Sequence, residues 1–161
     1  MGSRFQFRPS TSAAALLIGG GVAPALAAPC NNVVGSYTNP TGVAVTNLCV
    51  QNTTFSGGIV NNGTVSPNGI AFQNATVTNS APNVIQSTGA INGGISIDSR
   101  SRLISNSTDV VSITGSFAGG ITNAGTIVGN QLFGTGAGIF AGGPAFSGGI
   151  TNAGTITGGA S

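Results

Sequence analysis

The sequence predicts an all-β protein, a right-handed parallel β-helix (solenoid) preceded by a cleaved signal peptide. Three observations carry that reading. Only 4% of the 161 residues are charged and 28 are glycine, whereas ordinary soluble domains carry roughly 25% charge. Past the N-terminal segment, apolar residues alternate with Thr, Ser, Asn and Gly, the pattern of short strands and turns. A glycine-rich phrase also returns: FAGGITNAGTIVG from Phe117 reappears as FSGGITNAGTITG from Phe146. Disorder is the competing reading for such a composition, but it goes with few β-branched apolar residues and high net charge. Here Val and Ile recur in step with the phrase.

Residues 1–27 read as a Sec-type signal. Arg4 and Arg8 precede AAALLIGGGVAPALAA, and Ala25-Leu26-Ala27 supplies the small-x-small pattern of a cleavage site. Cleavage is expected after Ala27, with Ala28 as the second choice. Gly19-Gly20-Gly21 and Pro24 make a poor helix interior. No later apolar run approaches the ~18 residues that span a bilayer. The expected destination is the periplasm, the cell surface or the medium. Once the signal is removed, Arg100 and Arg102 balance Asp98 and Asp109, so the remaining side chains are formally neutral. A neutral chain has no electrostatic footprint for nucleic acid or anionic lipid.

Residues 28–54 form an N-terminal cap region with a disulfide. Cys30 and Cys49 both lie in the exported part, where an oxidising compartment favours pairing. Closing the short loop between them contributes about 3 kcal/mol in the chain-entropy model. A lipoprotein role for Cys30 is disfavoured by Pro29, which stands where a small residue is needed.

Residues 55–161 are β-helix repeats. Copies of the phrase begin at Phe55 (FSGGIVNNGTVSP), Ile91 (INGGISIDSRSRL), Phe117 and Phe146, so their spacing is uneven. A weaker echo, NGIAFQNATVTN, starts at Asn68. Periods of roughly 20–50 residues indicate stacked architectures, and unequal intervals indicate connecting loops of variable length. Within a copy, Phe117, Ile121 and Asn123 fall on one strand face. Asn123-Ala124-Gly125 reads as a corner with Gly125 at positive φ. Thr126-Ile127-Val128 then opens the next strand with Ile127 inward. Alignment on the Gly-Gly pairs places Ile59, Ile121 and Ile150 in one apolar column. It puts Val65, Ile127 and Ile156 in a second, and Asn61, Asn123 and Asn152 in an amide ladder. Gly63, Gly125 and Gly154 become equivalent corners. About five coils of ~25 residues are expected.

The phrase G-G-I-x-N-x-G-T-I-x-G resembles the repeats in passenger domains of bacterial autotransporters. Those proteins begin with a Sec signal, continue as a repetitive β-helix and end in an outer-membrane β-barrel. The resemblance covers the signal and Phe55 to Gly158. It implies a secreted or cell-surface module, structural or adhesive, with a host-surface or glycan ligand. The sequence departs from that pattern at Ser161, directly after a repeat, with no barrel strands present. The expectation is therefore the N-terminal part of a larger passenger or a truncated gene product, ahead of a stand-alone secreted relative, with a final repeat that is uncapped and open to self-association. Contact with the outer membrane would come only through a barrel that this chain lacks.

Little chemistry is available. The sequence has no His, Lys or Trp, so no enzyme is expected. Asp98 and Asp109 are the sole acids and read as solvated loop charges. Arg100 and Arg102 are expected to pair with them, the alternative being contact with an acidic glycan. Gly134-Thr135-Gly136-Ala137-Gly138 lacks the Lys-Ser/Thr of a phosphate loop. The repeats also lack the Asp of calcium-binding nonapeptides. No cofactor or metal is expected. The alternative function is binding of an ordered surface, ice or crystalline polysaccharide, through outward Thr columns such as Thr76 and Thr78 or Thr155 and Thr157. Val65-Ser66-Pro67 breaks that pattern. A polysaccharide-degrading β-helix enzyme is the remaining alternative.

Overall fold

The computed structural model describes residues 30–79, 83–106, 108–129 and 136–158; the predicted signal peptide and its cleavage site lie outside them. The chain winds through three parallel sheets five times, which makes four full turns from first strand to last. The first coil holds β1 (Tyr37–Asn39), β2 (Ala44–Gln51) and β3 (Thr54–Ser56). The second holds β4 (Ile59–Asn61), β5 (Thr64–Gln73) and β6 (Thr76–Asn79). In the third, β7 (Ile85–Ser87) is followed by the short β8 (Ala90–Ile91), then β9 (Ile95–Ile97) and β10 (Arg102–Ser105). The fourth contains β11 (Val111–Ile113), β12 (Ile121–Asn123) and β13 (Thr126–Val128). The fifth contains β14 (Ile139–Ala141), β15 (Ile150–Asn152) and β16 (Thr155–Thr157). The first face of the solenoid stacks β1-β4-β7-β11-β14, the second β2-β5-β9-β12-β15 and the third β3-β6-β10-β13-β16. Every strand pair among the described residues is parallel, so the fold is a parallel β-solenoid.

Alternation along each short strand fills the interior. Alternate residues of each strand point in and meet their counterparts in the next coil. On the second face this gives the column Leu48, Ile70, Ile95, Ile121, Ile150. On the third it gives Phe55, Val77, Leu103, Ile127, Ile156. On the first, Tyr37 is followed by Ile59, Ile85, Val111 and Ile139. In the three middle coils these residues are 0–2% exposed. Each such side chain contributes roughly 1.5–3 kcal/mol by leaving water. A single coil buries too little alone, and the stack supplies the rest.

The register corrects the sequence alignment. Ile59 lies on the first face, paired with Tyr37 and Ile85, and does not stack with Ile121 and Ile150. Val65 sits on the second face beside Val45 and Ile91, whereas Ile127 and Ile156 pair on the third. The long gap between the copies at Phe55 and Ile91 is the cause. It spans one complete turn, Ile59 to Ile85, and then the further stretch from Ile85 to Ile95, which carries the chain on to the next face. The in-register relative of the later copies is the weaker echo from Asn68. There Ile70 pairs with Ile95 and Phe72 with Ile97.

Length variation collects at one corner. Connections from the third face to the first widen from 57–58, through 80–84 and 106–110, to 129–138. Connections from the second face to the third are short and nearly constant: 52–53, 74–75, 124–125 and 153–154, with 98–101 the longer exception. At the N-terminal end, Asn32 bridges to Cys49 and the Val33 amide donates to the Cys49 carbonyl at 2.7 Å. Val33 is buried over the first coil. Cys30 and Cys49 are paired there, with Cα atoms 5.7 Å apart.

Candidate functional site

The predicted single amide ladder is two ladders on different faces. On the first face, Asn39 Nδ2 donates to Asn61 Oδ1 at 2.8 Å, and Asn61 Nδ2 donates to Ser87 Oγ at 3.0 Å. On the second, Asn123 Nδ2 donates to Asn152 Oδ1 at 2.8 Å. Asn39, Asn61 and Asn123 are fully buried. The amides also reach the main chain of nearby corners: Asn61 Nδ2 donates to the Ala90 carbonyl, and Asn123 Oδ1 accepts from Gly125 N at 3.1 Å. A buried corner cannot leave its polar groups unpaired without cost, and an amide with both donor and acceptor meets that need. A third, exposed set runs along the next corner, where Asn74 Nδ2 donates to Asn52 Oδ1 at 2.9 Å and Gln51 Nε2 to Gln73 Oε1 at 2.7 Å. Asn52 and Asn74 have φ of 48° and 50°, a region that Asn enters more readily than most residues.

The corner glycines follow a different rule from the one expected. Gly125 is not at positive φ; that conformation belongs to the Gly-Gly pair ahead of the strand, with Gly119 at 99° and Gly120 at 74°. Gly125 is required because a Cβ there would run into the carbonyl oxygens of Asp98 and Ser101 in the coil beneath. Gly154 meets the Gly125 carbonyl in the same way, and Gly63 meets those of Val43 and Pro40. Coils touch backbone to backbone at these corners, and no side chain fits between them.

The charged residues gather at the third coil. Asp98 occupies the corner between β9 and β10 and is half-buried. Its carboxylate accepts from the Asn74 amide (3.1 and 3.0 Å to the two oxygens), the Arg100 amide (3.2 Å) and the Ser101 hydroxyl (2.6 Å). Burial works to raise the Asp98 pKa, but bonds from the Ser101 hydroxyl and from the Asn74, Arg100 and Ser101 amides outweigh it and hold the group below its ordinary value. Asp109 Oδ1 accepts from the Ala137 amide at 2.8 Å. Asp98 is thus occupied by main-chain amides and a hydroxyl, and Asp109 Oδ1 by a main-chain amide. The expected ion pairs with Arg100 and Arg102 do not form among the described residues, and both arginines are exposed.

Arg102 stands in an outward column of the third face. The register runs Thr54, Thr76, Arg102, Thr126, Thr155. The companion column two residues on reads Ser56, Thr78, Ile104, Val128, Thr157. Thr76 with Thr78 and Thr155 with Thr157 do share this face, but Thr-x-Thr is not kept in the third and fourth coils. Among the described residues, no three His, Cys, Asp or Glu come together as a metal site would require, and no helix is long and apolar enough to cross a membrane. The Gly134–Gly138 segment lies partly outside the described residues. The chain matches no family model, no curated protein and no solved structure.

Proposed function

We propose that the chain is a non-catalytic module of a secreted or surface-displayed passenger protein, exported by Sec, wound as a right-handed solenoid and acting as a spacer or adhesive. The observation that carries the reading is the use of the polar side chains. Asp98 is spent on main-chain amides and the Ser101 hydroxyl, and Asp109 Oδ1 on the Ala137 amide, while the buried amides bind coil to coil. What remains for a partner is the outward faces, with the hydroxyls of the third and the exposed Arg100 and Arg102. A right-handed winding accords with the general preference of parallel β-crossovers. The test is expression in a Gram-negative host followed by fractionation, N-terminal sequencing and a thiol count. Mature protein beginning at Ala28 or Pro29, without free thiols, is the expected result. Cytoplasmic retention with the N-terminus intact and both thiols free would exclude the export reading. Attachment of the purified module to cells or matrix then separates an adhesive from an inert spacer.

A further inference from the structure

We propose that the third face and the corner leading into it bind an acidic polysaccharide, with Arg102 on the face and Arg100 at the corner holding its anionic groups and the neighbouring Thr hydroxyls its sugars. The proposal extends the adhesive reading and rests on it, in that the side faces are what the module presents. The charged residues that follow the signal segment all lie within one stretch, from Asp98 to Asp109. The two acids are engaged by the Asn74, Arg100 and Ala137 amides and the Ser101 hydroxyl. Both guanidiniums are exposed and keep their donor forks for a ligand. That planar fork matches a carboxylate or sulfate group in two-point contact. Arg102 also replaces a threonine in register, with Thr76 on one side and Thr126 on the other. The coil spacing is ~4.8 Å, so an extended polymer lying along the solenoid axis would meet hydroxyls before and after the cation. Nucleic acid fits less well: two cations give at most two phosphate contacts where binding usually uses several. The aromatic stacking surface of single-strand binders is also missing from this face.

The probes are polygalacturonate, dextran sulfate, neutral dextran and polyphosphate, each immobilised and exposed to the purified chain at low ionic strength. Retention on polygalacturonate and dextran sulfate, and none on dextran, is expected, with retention falling as salt is raised. Arg102→Gln and Arg100→Gln should each weaken polygalacturonate binding about 2–5-fold, the range of one exposed ion pair. Their far-UV circular dichroism should be unchanged, since both side chains are exposed. Thr76→Val and Thr126→Val should weaken polygalacturonate binding and leave polyphosphate unaffected. An unchanged Arg100→Gln/Arg102→Gln double variant overturns the proposal. So does equal retention on neutral dextran, or polyphosphate binding as tight as polygalacturonate binding. A chain that attaches to cells but is held by no acidic glycan refutes this ligand and leaves the module reading standing. Glycan retention by a chain that is never exported supports the ligand and sinks the module reading.

Discussion

A Cβ placed on Gly125 meets two carbonyl oxygens of the preceding coil, while one placed on Gly149, at φ 68°, meets nothing within 4 Å. Both positions hold glycine for opposite reasons, and asparagine tells them apart. Asn tolerates the left-handed region better than most residues, so Gly149→Asn should cost no more than about 1 kcal/mol, the low end of the ~1–2 kcal/mol that an L-residue pays there. Gly125→Asn should cost at least the ~1–3 kcal/mol of overpacking. If Gly125→Asn were neutral in a thermal or denaturant melt, the coils would not be in backbone contact there. Asp98 gives a second prediction at this scale. Its pKa is lowered in the folded protein by bonds that outweigh its burial, so the native state favours the ionised form. The stability it contributes is fully present above the unfolded pKa of about 3.9 and is lost as pH falls through the lower, folded value. Asp98→Asn should therefore be less stable than the parent at neutral pH, and the difference should shrink in acid below about pH 4. A gap that stays constant from neutral pH into strong acid would contradict the assignment.

The strands and corners show which part of the fold is legible locally. Phe55 to Val65 and Phe117 to Ile127 are nearly the same phrase, and both fold as inward residue, Gly-Gly, short strand, Asn-x-Gly corner and a new strand. The phrase therefore specifies its own order of strand and corner, although Gly58 lacks the positive φ that Gly120 has. It does not specify its angle around the axis, because that depends on how much chain separates it from the next copy. That length includes the third-to-first connection, which is shortest at 57–58 and longest at 129–138. The Asn68 copy is faint because it has one glycine of the Gly-Gly pair, Phe72 in place of the ladder Asn and Ala75 in place of the corner glycine. The steadier signal is the inward column Leu48, Ile70, Ile95, Ile121, Ile150, which recurs once in every coil. The free arginines are hidden for a similar reason. Nearness in sequence suggests pairing with Asp98, but the stack directs that carboxylate to the amide of Asn74 in the coil beneath. Insertion tolerance follows from the same division. Two residues added between 129 and 138 should cost no more than the ~0.6 kcal/mol of doubling a loop. The same insertion after Ala124 displaces Ile127 from Leu103 and Ile156. It forfeits roughly 1.5–3 kcal/mol for each side chain uncovered and should lower the melting midpoint clearly.

At the scale of the whole molecule, the two ends of the stack are unlike. Val33 and the strand pairing of Asn32 with Cys49 cover the first coil. On the fifth, Ile150 is 49% exposed and Asn152 is exposed, although their counterparts one coil below, Ile121 and Asn123, are 1% and 0% exposed. The Phe146 ring lies on Phe117, with centroids 4.9 Å apart, so its far side is turned toward the same end. That surface repeats the one that β12 and β13 present to β15 and β16, and it is shaped to receive strands. Strand edges with open main-chain groups pair with whatever matches them. The chain freed of its signal segment is therefore expected to associate as its concentration rises, with the fifth coil at the interface. In sedimentation, average mass should increase across a dilution series. Amide exchange at Ile150–Asn152 and Thr155–Thr157 should be fast in dilute solution and slow in concentrated solution, while β12 and β13 stay protected throughout. Ile150→Lys puts a charge on the edge and should hold the protein monomeric without altering its far-UV spectrum. A protein that stays monomeric at every concentration, with β15 and β16 as protected as β12 and β13, would show that this end does not seek a partner.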